Sequence, residues 1–304
     1  MDYVLTTDSL CKKYGSCSAL NGLSMHVPKG SIYGLVGKNG AGKTTLIRII
    51  CGLQSPAGGR YSLYGIENDD KQIVRSRKRM GAVVESPSLY LNMSAEENLR
   101  QQYRLLGLPS FDDIDILLKL TGLADTGKKK ARHFSFGMRQ RLGIAIALCG
   151  SPDFLVLDEP INGLDPQGII EMRELILNLN RKHQITVLIS SHILDELSKL
   201  ATHYGFIDGG SLVKEISAAE LEQRCRKCVR ISVTDTKTLC LVLDLFGLSY
   251  RILSKKDADI YTESGDDLPI TSLVTELAKR NCEVLSLARR DESLENYYMN
   301  LVRR

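Results

Sequence analysis

The residues with the clearest chemistry lie between Gly37 and Thr45, in the sequence GKNGAGKTT. This stretch fits the pattern G-x-x-x-x-G-K-[ST], in which glycines let backbone N–H groups turn toward phosphate oxygens. We expect Lys43 to reach the β- and γ-phosphates of a nucleotide, and the hydroxyl of Thr44 to bind Mg²⁺. The predicted nucleotide-binding residues of this loop are Gly37, Lys38, Asn39, Gly40, Ala41, Gly42, Lys43, Thr44 and Thr45.

The segments on either side favour a phosphate loop over a chance glycine-rich turn. Residues 31–36 form a short apolar run, which predicts a buried strand, and residues 45–50 have the pattern of a helix. A helix that begins directly after the loop directs the free N–H groups of its first turn toward a bound anion. A strand, a loop and a helix in this order therefore predict a nucleotide phosphate site.

A second candidate segment is the apolar run from Phe154 to Leu157, which ends in Asp158 and Glu159. Such a run is typical of a parallel strand that is buried on both faces. We expect Asp158 to hold Mg²⁺ through water, and Glu159 to act on the water that attacks the γ-phosphate. The alternative is an acidic helix cap, because Pro160 follows the two carboxylates.

Further polar side chains follow predicted strands. Glu85 comes after the apolar run 81–84, and His192 comes after the run 185–189. Because ligands of parallel sheets bind at the carboxyl ends of the strands, Glu85 is a candidate metal ligand and His192 a candidate contact to the γ-phosphate. A loop cap and a surface histidine are the alternatives. Tyr14 could stack on an adenine or pack against its neighbours in a strand.

Composition limits the class of protein. Apolar residues make up 43% of the chain and charged residues 25%, as in ordinary soluble globular proteins. A net charge of +4 is too small to predict direct nucleic-acid binding. Eight cysteines without a signal-peptide pattern predict a cytoplasmic location. The lone pair Cys225 and Cys228 could bind zinc or act in redox chemistry, but incidental cysteines are the simpler interpretation.

A membrane role would need a partner, because no apolar run approaches the ~18 residues of a membrane-spanning helix.

The N-terminal residues 4–27 are strand-rich, with Asn21 and Gly22 as the turn signal. Asp165 is predicted to cap the helix that begins at Pro166.

A helical insertion is predicted over about residues 86–150, between strands of the nucleotide core. Ser94 and Glu97 have the spacing of a capping box, and Ser135 is predicted to begin the last helix of the insertion. The three helices are predicted over residues 94–106, 110–120 and 136–148.

A domain boundary is predicted near residue 215, between a nucleotide-binding domain of residues 1–215 and a smaller domain of residues 216–304. The order of strands and helices in the smaller domain reads βαββαβ, which predicts a ferredoxin-like α+β fold. Its segments are strands 229–233, 248–253, 260–262 and 282–287, and helices 236–246, 270–280 and 293–302. The fold class is therefore α/β, with a P-loop NTPase core.

Taken together, residues 1 to about 215 resemble the ATP-binding subunit of an ABC transporter. The resemblance implies that Glu159 is the catalytic glutamate and that His192 is the switch histidine. It also favours the adenine-stacking role for Tyr14. In that family's terms the motifs are Walker A (37–44), Walker B (154–159) and the D-loop (163–165, with Asp165).

The signature motif departs from the family pattern. The family's Leu-Ser-Gly-Gly-Gln is replaced by Phe134 to Met138, reading FSFGM, so that a phenylalanine stands where a glycine is usual. The resemblance implies that the start of the following helix faces the γ-phosphate of ATP across a dimer interface. The residues expected to act there are Ser135, Phe136, Gly137 and Met138.

The second departure is Glu85, which replaces the family's glutamine. A carboxylate can ligate Mg²⁺, but it adds negative charge beside the triphosphate and cannot donate a hydrogen bond. The predicted metal ligands are therefore Thr44, Glu85 and Asp158, while a loop cap or a contact with a membrane partner remains open for Glu85.

The Glu85-Ser86-Pro87 loop, the altered signature and a short C-terminal domain ending near Ser293 to Tyr298 are most similar to the ATPases of bacitracin-resistance and lantibiotic-immunity exporters. This resemblance implies ATP and Mg²⁺ as cofactors, a second ATP-binding subunit and a membrane-spanning permease. It also implies a position on the inner face of the cell membrane and no direct contact with nucleic acid.

Other readings are less favoured by the sequence. A soluble ABC ATPase acting on nucleic acid or ribosomes usually has paired ATPase domains or basic arms, which this chain lacks. A regulatory module that only binds ATP would not need both Asp158 and Glu159. A GTPase would carry an Asn-Lys-x-Asp motif, which is absent. An exporter of another cargo stays open, because the cargo is not encoded in this subunit.

Overall fold

A computed structural model of the protein describes residues 2–224, 227–261, 268–291, 297–298 and 301. The chain divides into two compact units, Met1–Ala218 and Ala219–Arg304. The predicted final helix, residues 293–302, lies largely outside the described residues, and so does Cys225 of the cysteine pair.

The first unit begins with two long strands and then alternates strands with helices. In chain order its strands are β1 (Tyr3–Tyr14), β2 (Cys17–Pro28), β3 (Ile32–Val36), β4 (Gly58–Leu63), β5 (Ile66–Glu67), β6 (Met80–Val83), β7 (Phe154–Asp158), β8 (Thr186–Ser191), β9 (His203–Asp208) and β10 (Ser211–Ser217). Its helices are α1 (Lys43–Ile50), α2 (Ile73–Arg77), α3 (Ala95–Leu106), α4 (Ile114–Leu120), α5 (Phe136–Ala147), α6 (Pro166–His183) and α7 (Leu194–Ser198).

A six-stranded sheet carries the residues of interest. Its strand order is β10-β9-β3-β8-β7-β6, with β9 to β6 parallel and β10 antiparallel to β9. Every residue of β3, β7 and β8 is buried, as expected for parallel strands covered on both faces. The register pairs Val36 with Ser191 and Asp158 with Ser190, so the carboxyl ends of these strands meet at one edge.

The apolar core of the first unit surrounds α1. Four residues of this helix are fully buried: Leu46, Ile47, Ile49 and Ile50. They belong to one cluster with residues of the parallel sheet and of the antiparallel sheet β2-β1-β4-β5. Burying each such side chain contributes about 1.5–3 kcal/mol. The phosphate loop is therefore attached to a helix that is fixed on both sides.

The predicted turn at Asn21 and Gly22 is wrong. The chain reverses at Gly15 and Ser16, between β1 and β2, where Gly15 has a φ of 57°. Asn21 and Gly22 lie within β2 at a register shift, and Gly22 has a φ of 66°. Glycine is favoured here because of this positive φ, which belongs to an irregularity within the strand and not to a hairpin turn.

Helix ends in the insertion follow local side-chain bonds. The capping box of Ser94 and Glu97 is confirmed at the start of α3, and Ser135 caps α5 as predicted. The predicted start of α4 at Ser110 is wrong, because the Ser110 hydroxyl accepts the N–H of Asp112 and makes a local turn. The helix then begins at Ile114.

The second unit has its own sheet and its own core. Its elements are α8 (Ala218–Arg224), β11 (Lys227–Val233), α9 (Thr236–Leu245), β12 (Ser249–Ile252), β13 (Asp257–Tyr261), α10 (Ile270–Lys279) and β14 (Val284–Asp291). The sheet is antiparallel with order β12-β13-β11-β14, and the predicted βαββαβ sequence from β11 to β14 is confirmed. One face packs on α9 and α10 through residues such as Val229, Ile231, Leu239 and Leu273.

The close approach of β6 to the end of α5 predicts that a larger residue at Gly81 lowers stability. A Cβ atom on Gly81 would lie 2.1 Å from the carbonyl oxygen of Ala147, which is too close for any real contact. Gly81→Ala should therefore lower the free energy of unfolding by about 1–3 kcal/mol, as overpacked core substitutions do. Urea denaturation followed by circular dichroism would measure this loss.

The matched control is Gly58→Ala in strand β4, where an added Cβ would meet only the Cβ of Cys11 at 3.8 Å. Its effect on stability should stay within about 0.5 kcal/mol. Equal stability of the two variants would show that β6 and α5 do not pack as closely as described.

Candidate nucleotide-binding site

The predicted phosphate loop joins β3 to α1, and close contacts fix its glycines. A Cβ atom on Gly37 would lie 2.6 Å from the carbonyl oxygen of Ile207, and one on Gly42 would lie 2.6 Å from that of Ala19. Gly40 and Gly42 have φ angles of 81° and 110°, which side-chain-bearing residues rarely adopt. The loop can take this shape only with glycine at these positions.

The start of α1 is available to a phosphate. Gly42 is its N-cap and provides no side-chain acceptor, so no capping side chain satisfies the first-turn N–H groups. Such a helix start, with its partial positive charge, favours an anion. Thr44 and Thr45 are half-buried beside it, Ala41 is buried, and Lys38 and Asn39 are exposed.

Lys43 points back into the loop from the first turn of α1. Its ammonium donates hydrogen bonds to the carbonyl oxygens of Gly37 at 2.6 Å and Lys38 at 3.2 Å. The same Nζ lies 3.2 Å from Oε1 of Glu159. An ammonium has three N–H groups, so these three oxygens match its full donor capacity. A phosphate oxygen that binds Lys43 must therefore replace or share one of them.

Asp158 ends β7 with one of its oxygens unused. Its side chain is buried, and Oδ1 accepts a hydrogen bond of 2.6 Å from the hydroxyl of Ser190. Oδ2 is also buried and has no hydrogen-bond partner among the described residues. Leaving a buried carboxylate oxygen unpaired is costly. This oxygen therefore fits a Mg²⁺ ion or a water bound to one.

The metal would take its remaining ligands from elsewhere. Over the part of the chain that the structure describes, no group of three or more His, Cys, Asp or Glu side chains could hold a metal by itself. Mg²⁺ in nucleotide sites characteristically uses one or two protein oxygens, together with phosphates and water. Asp158 and the Thr44 hydroxyl fit that donor set.

Glu159 stands between two of the other predicted site residues. Its Oε1 is the oxygen near Lys43, and its Oε2 accepts a hydrogen bond of 2.8 Å from Nδ1 of His192. The backbone of Glu159 has a φ of 50°, in the left-handed region, and its N–H donates to the Ser190 hydroxyl at 2.9 Å. A non-glycine residue keeps this strained conformation only where surrounding contacts impose it. The structure thus brings Lys43, Glu159 and His192 together.

Glu85 follows β6 and is held by a partner that sequence reasoning missed. Its carboxylate forms an ion pair with the guanidinium of Arg48 in the last turn of α1. Glu85 also has a left-handed backbone, with a φ of 60°. The negative charge of Glu85 is therefore balanced by Arg48.

Tyr14 ends β1 with its ring about half exposed. Its hydroxyl bonds to Oε1 of Gln54, and the ammonium of Lys12 lies 5.5 Å from the ring centroid. Neither of these partners belongs to the phosphate loop, so adenine stacking by Tyr14 stays a prediction.

The signature residues make contacts within their own helix and with the D-loop. The Ser135 hydroxyl accepts the N–H of Met138 at 3.2 Å, and Asp165 caps α6 by accepting the N–H of Gly168 at 3.2 Å. Ser135 and Phe136 are exposed. Among the described residues, the hydrogen-bond partners of Ser135 are Met138 and Arg139 of its own helix, and none belongs to the phosphate loop.

Ser190 is a second residue that sequence reasoning passed over. It is fully buried and bonds to the last residue of β7 and to the residue that follows it, as donor to Asp158 and as acceptor from the Glu159 backbone. The available signal was a serine directly after the apolar residues 187–189 of this strand. Only the register of β8 against β7 shows that this hydroxyl meets the carboxylates.

Cys51, just after α1, carries no reactive thiol. Burial, together with a smaller effect of the negative charge of Asp158, raises its pKa to about 12, while Arg77 opposes the shift. The thiol stays protonated near neutral pH and does not act as a nucleophile.

With this geometry established, comparison with known proteins identifies the class. Residues 20–162 match the family model described as ABC transporter. The chain is 39% identical over 304 residues to the bacitracin transport ATP-binding protein BcrA of Bacillus licheniformis, which covers 99% of this chain and 98% of that protein. It is 42% identical over 212 residues to the lantibiotic transport ATP-binding protein SrtF of Streptococcus pyogenes, covering 70% of this chain and 90% of that protein.

Among solved structures, CbiO1 of Clostridium perfringens, part of the ABC transporter complex cbiONQ, has a TM-score of 0.65 and 28% identity. The match covers 73% of this chain and 91% of that one. The chain therefore belongs to the ATP-binding subunits of the ABC transporter family and is an ATPase with a P-loop NTPase core. In the described part of the chain, no helix has the length and apolar character needed to cross a membrane.

The Arg48–Glu85 pair generates a prediction about Mg²⁺. Because Arg48 already balances the carboxylate, Glu85→Gln should leave the Mg²⁺ concentration for half-maximal hydrolysis within about twofold of wild type. Arg48→Met should instead raise the KM for MgATP about two- to fivefold, since it leaves an unpaired negative charge near the triphosphate. ATPase assays at fixed ionic strength measure both quantities.

The double variant Arg48→Met/Glu85→Gln is the control, because it removes both charges together. It should return the KM for MgATP close to wild type. A clear increase in the Mg²⁺ requirement of Glu85→Gln alone would contradict the ion-pair interpretation and favour Glu85 as a metal ligand.

Proposed function

We propose that this chain is the ATP-hydrolysing subunit of an exporter that removes peptide antibiotics of the bacitracin or lantibiotic type. It binds MgATP, pairs with a second ATP-binding subunit and drives a membrane-spanning permease from the inner face of the cell membrane. The observation that carries the hydrolytic part of this proposal is the position of Glu159 between Lys43 and His192, at the carboxyl edge of the sheet.

The proposed chemistry uses this arrangement directly. Lys43 and the N-terminus of α1 stabilise negative charge on the transferring phosphoryl group. Glu159 accepts a proton on its carboxylate from the attacking water, and His192 holds that carboxylate in place through its Nδ1–H. Asp158 and Thr44 would hold Mg²⁺, which supplies further charge neutralisation at the phosphates when it is bound.

A second subunit would complete each site. Ser135 is exposed at the start of α5, where N–H groups and the helix dipole favour an anion. In a head-to-tail pair with two-fold symmetry, the Ser135 end of each chain would face the γ-phosphate held by the other chain. Phe136, which stands beside it where the family has glycine, is also exposed.

The choice of cargo is supported by the extent of similarity. Identity to BcrA extends over both units of this chain, whereas the match to SrtF covers 70% of the chain. An exporter of another cargo is the alternative. A role on nucleic acid is disfavoured by the mild net charge of +4.

Glu159→Gln tests the hydrolytic role. This substitution removes the proton acceptor but keeps the shape of the side chain, so turnover should fall by about a hundredfold or more while ATP still binds. The variant should accumulate as a dimer that retains ATP. Size-exclusion chromatography with light scattering would measure the dimer, and nucleotide analysis would measure the bound ATP. Glu174→Gln makes the same chemical change on the exposed side of α6 and should behave as wild type. Normal turnover in Glu159→Gln would remove Glu159 from this role.

Growth assays test the proposed cargo. Cells that carry Glu159→Gln in place of the wild-type gene should become as sensitive to bacitracin or a lantibiotic as cells that lack the gene, because transport stops with hydrolysis. Sensitivity to an antibiotic that is not a peptide should not change. If the peptide sensitivity of these cells also stayed at the wild-type level, the cargo would be of another kind, while the ATPase assignment would stand.

A further inference from the structure

The Phe136 ring connects two segments that serve different parts of the site. Phe136 occupies the position of the signature motif where the ABC transporter family usually has glycine, and its side chain is 42% exposed. The covered part of the ring lies against Gly163 of the D-loop in the same chain. An aromatic side chain contributes more contact area than any other replacement for glycine at this position.

The contact between the two segments is reciprocal. A Cβ atom on Gly163 would lie 3.5 Å from Cε1 of Phe136, and one on Gly137 would lie 3.4 Å from Cδ2 of Leu164. Each glycine is thus covered by the large side chain of the other segment. Gly163 has a φ of 79°, so the D-loop has a conformation that few residues besides glycine adopt.

The D-loop in turn is bonded to the catalytic glutamate. The N–H of Asn162 donates to the carbonyl oxygen of Glu159 at 3.1 Å, and the N–H of Leu164 donates to that of Ile161 at 3.3 Å. Glu159 has a left-handed backbone that must be held by its surroundings. A short path of contacts therefore runs from Phe136 through Gly163 and Asn162 to Glu159.

We propose that Phe136 is a positioning residue that couples the hydrolytic Glu159 of its own chain to the signature segment that serves the ATP of the partner. This inference rests on the head-to-tail arrangement of the proposed function. Movement of the signature when it meets the partner's ATP would be passed through the ring to the D-loop, and so to Glu159. Couplings carried by such packed contacts change an activity by about two- to thirtyfold.

Mixed dimers separate this role from a direct role at the partner's phosphate. A full-length chain carrying Phe136→Gly is paired with a full-length chain carrying Glu159→Gln, and the pair is purified through two different tags. The changed signature then serves only the site that cannot hydrolyse. The working site contains an intact signature and an intact Glu159, whose own D-loop lacks the covering ring.

The proposal predicts that this mixed dimer hydrolyses ATP about fivefold more slowly than a wild-type chain paired with Glu159→Gln. Phe136→Leu in the same position should restore the rate to within about twofold, because a leucine can still cover Gly163. Leu105→Ala, on the exposed face of α3, is the control and should leave the rate unchanged.

A second variant probes the same contact from the D-loop. Leu164→Ala should slow the working site as well, and the loss in Phe136→Gly/Leu164→Ala in one chain should be smaller than the two single losses combined, because both side chains pack between the same two segments. Additive losses, or a Phe136→Gly dimer as active as its parent, would overturn the coupling.

A Ser135→Arg chain paired with Glu159→Gln distinguishes failure of this proposal from failure of the proposed function. If each signature serves the partner's site, this pair keeps one working site and hydrolyses ATP. Complete inactivity would show that each chain uses its own Ser135, and the head-to-tail arrangement would be wrong. Activity here together with an unaffected Phe136→Gly pair would reject the coupling alone.

Discussion

The parallel register of β3, β7 and β8 is the constraint on which the site depends. These strands are buried over their whole length; β7 and β8 end in polar residues, and the phosphate loop follows β3. Because the strands are parallel and in register, those residues emerge at one edge. The phosphate loop, the two carboxylates at the end of β7 and the histidine after β8 are thereby brought together from segments spread over more than 100 residues of the chain. Any shift of one strand against another would separate them.

Charge around that edge is balanced locally. Lys43 lies against Glu159, and Arg48 lies against Glu85. Both basic residues of α1 are therefore paired with carboxylates that follow strands of the sheet. Asp158 has no cation beside it among the described contacts and keeps one buried oxygen unpaired. A divalent cation would compensate this unpaired negative charge, and Asp158 is one of the residues that the sequence indicates as a metal ligand.

Much of the fold and part of the site could be predicted from the sequence, because the signals were local. The strand before the phosphate loop, the cap at Ser135 and the cap at Asp165 each depend on residues within a few positions of one another. The Arg48–Glu85 pair joins residues 37 positions apart, and the Ser190–Asp158 bond joins residues 32 apart. Such pairs depend on which strands are neighbours, which one sequence does not state. The hairpin turn predicted at Asn21 and Gly22 was wrong because a residue type that favours positive φ fits a hairpin turn and a strand irregularity equally well.

The left-handed backbone of Glu159 affects how this gene can change over generations. Glycine adopts that conformation without strain, and asparagine adopts it more readily than glutamate does. Replacing Glu159 by either residue would relieve the backbone, and under the role proposed for Glu159 it would end hydrolysis, so that folding stability and activity would favour different residues at this position. A glutamate retained there marks a lineage in which ATP turnover is still under selection. In a duplicated copy released from that selection, a change at this codon could remove activity without a loss of folding stability.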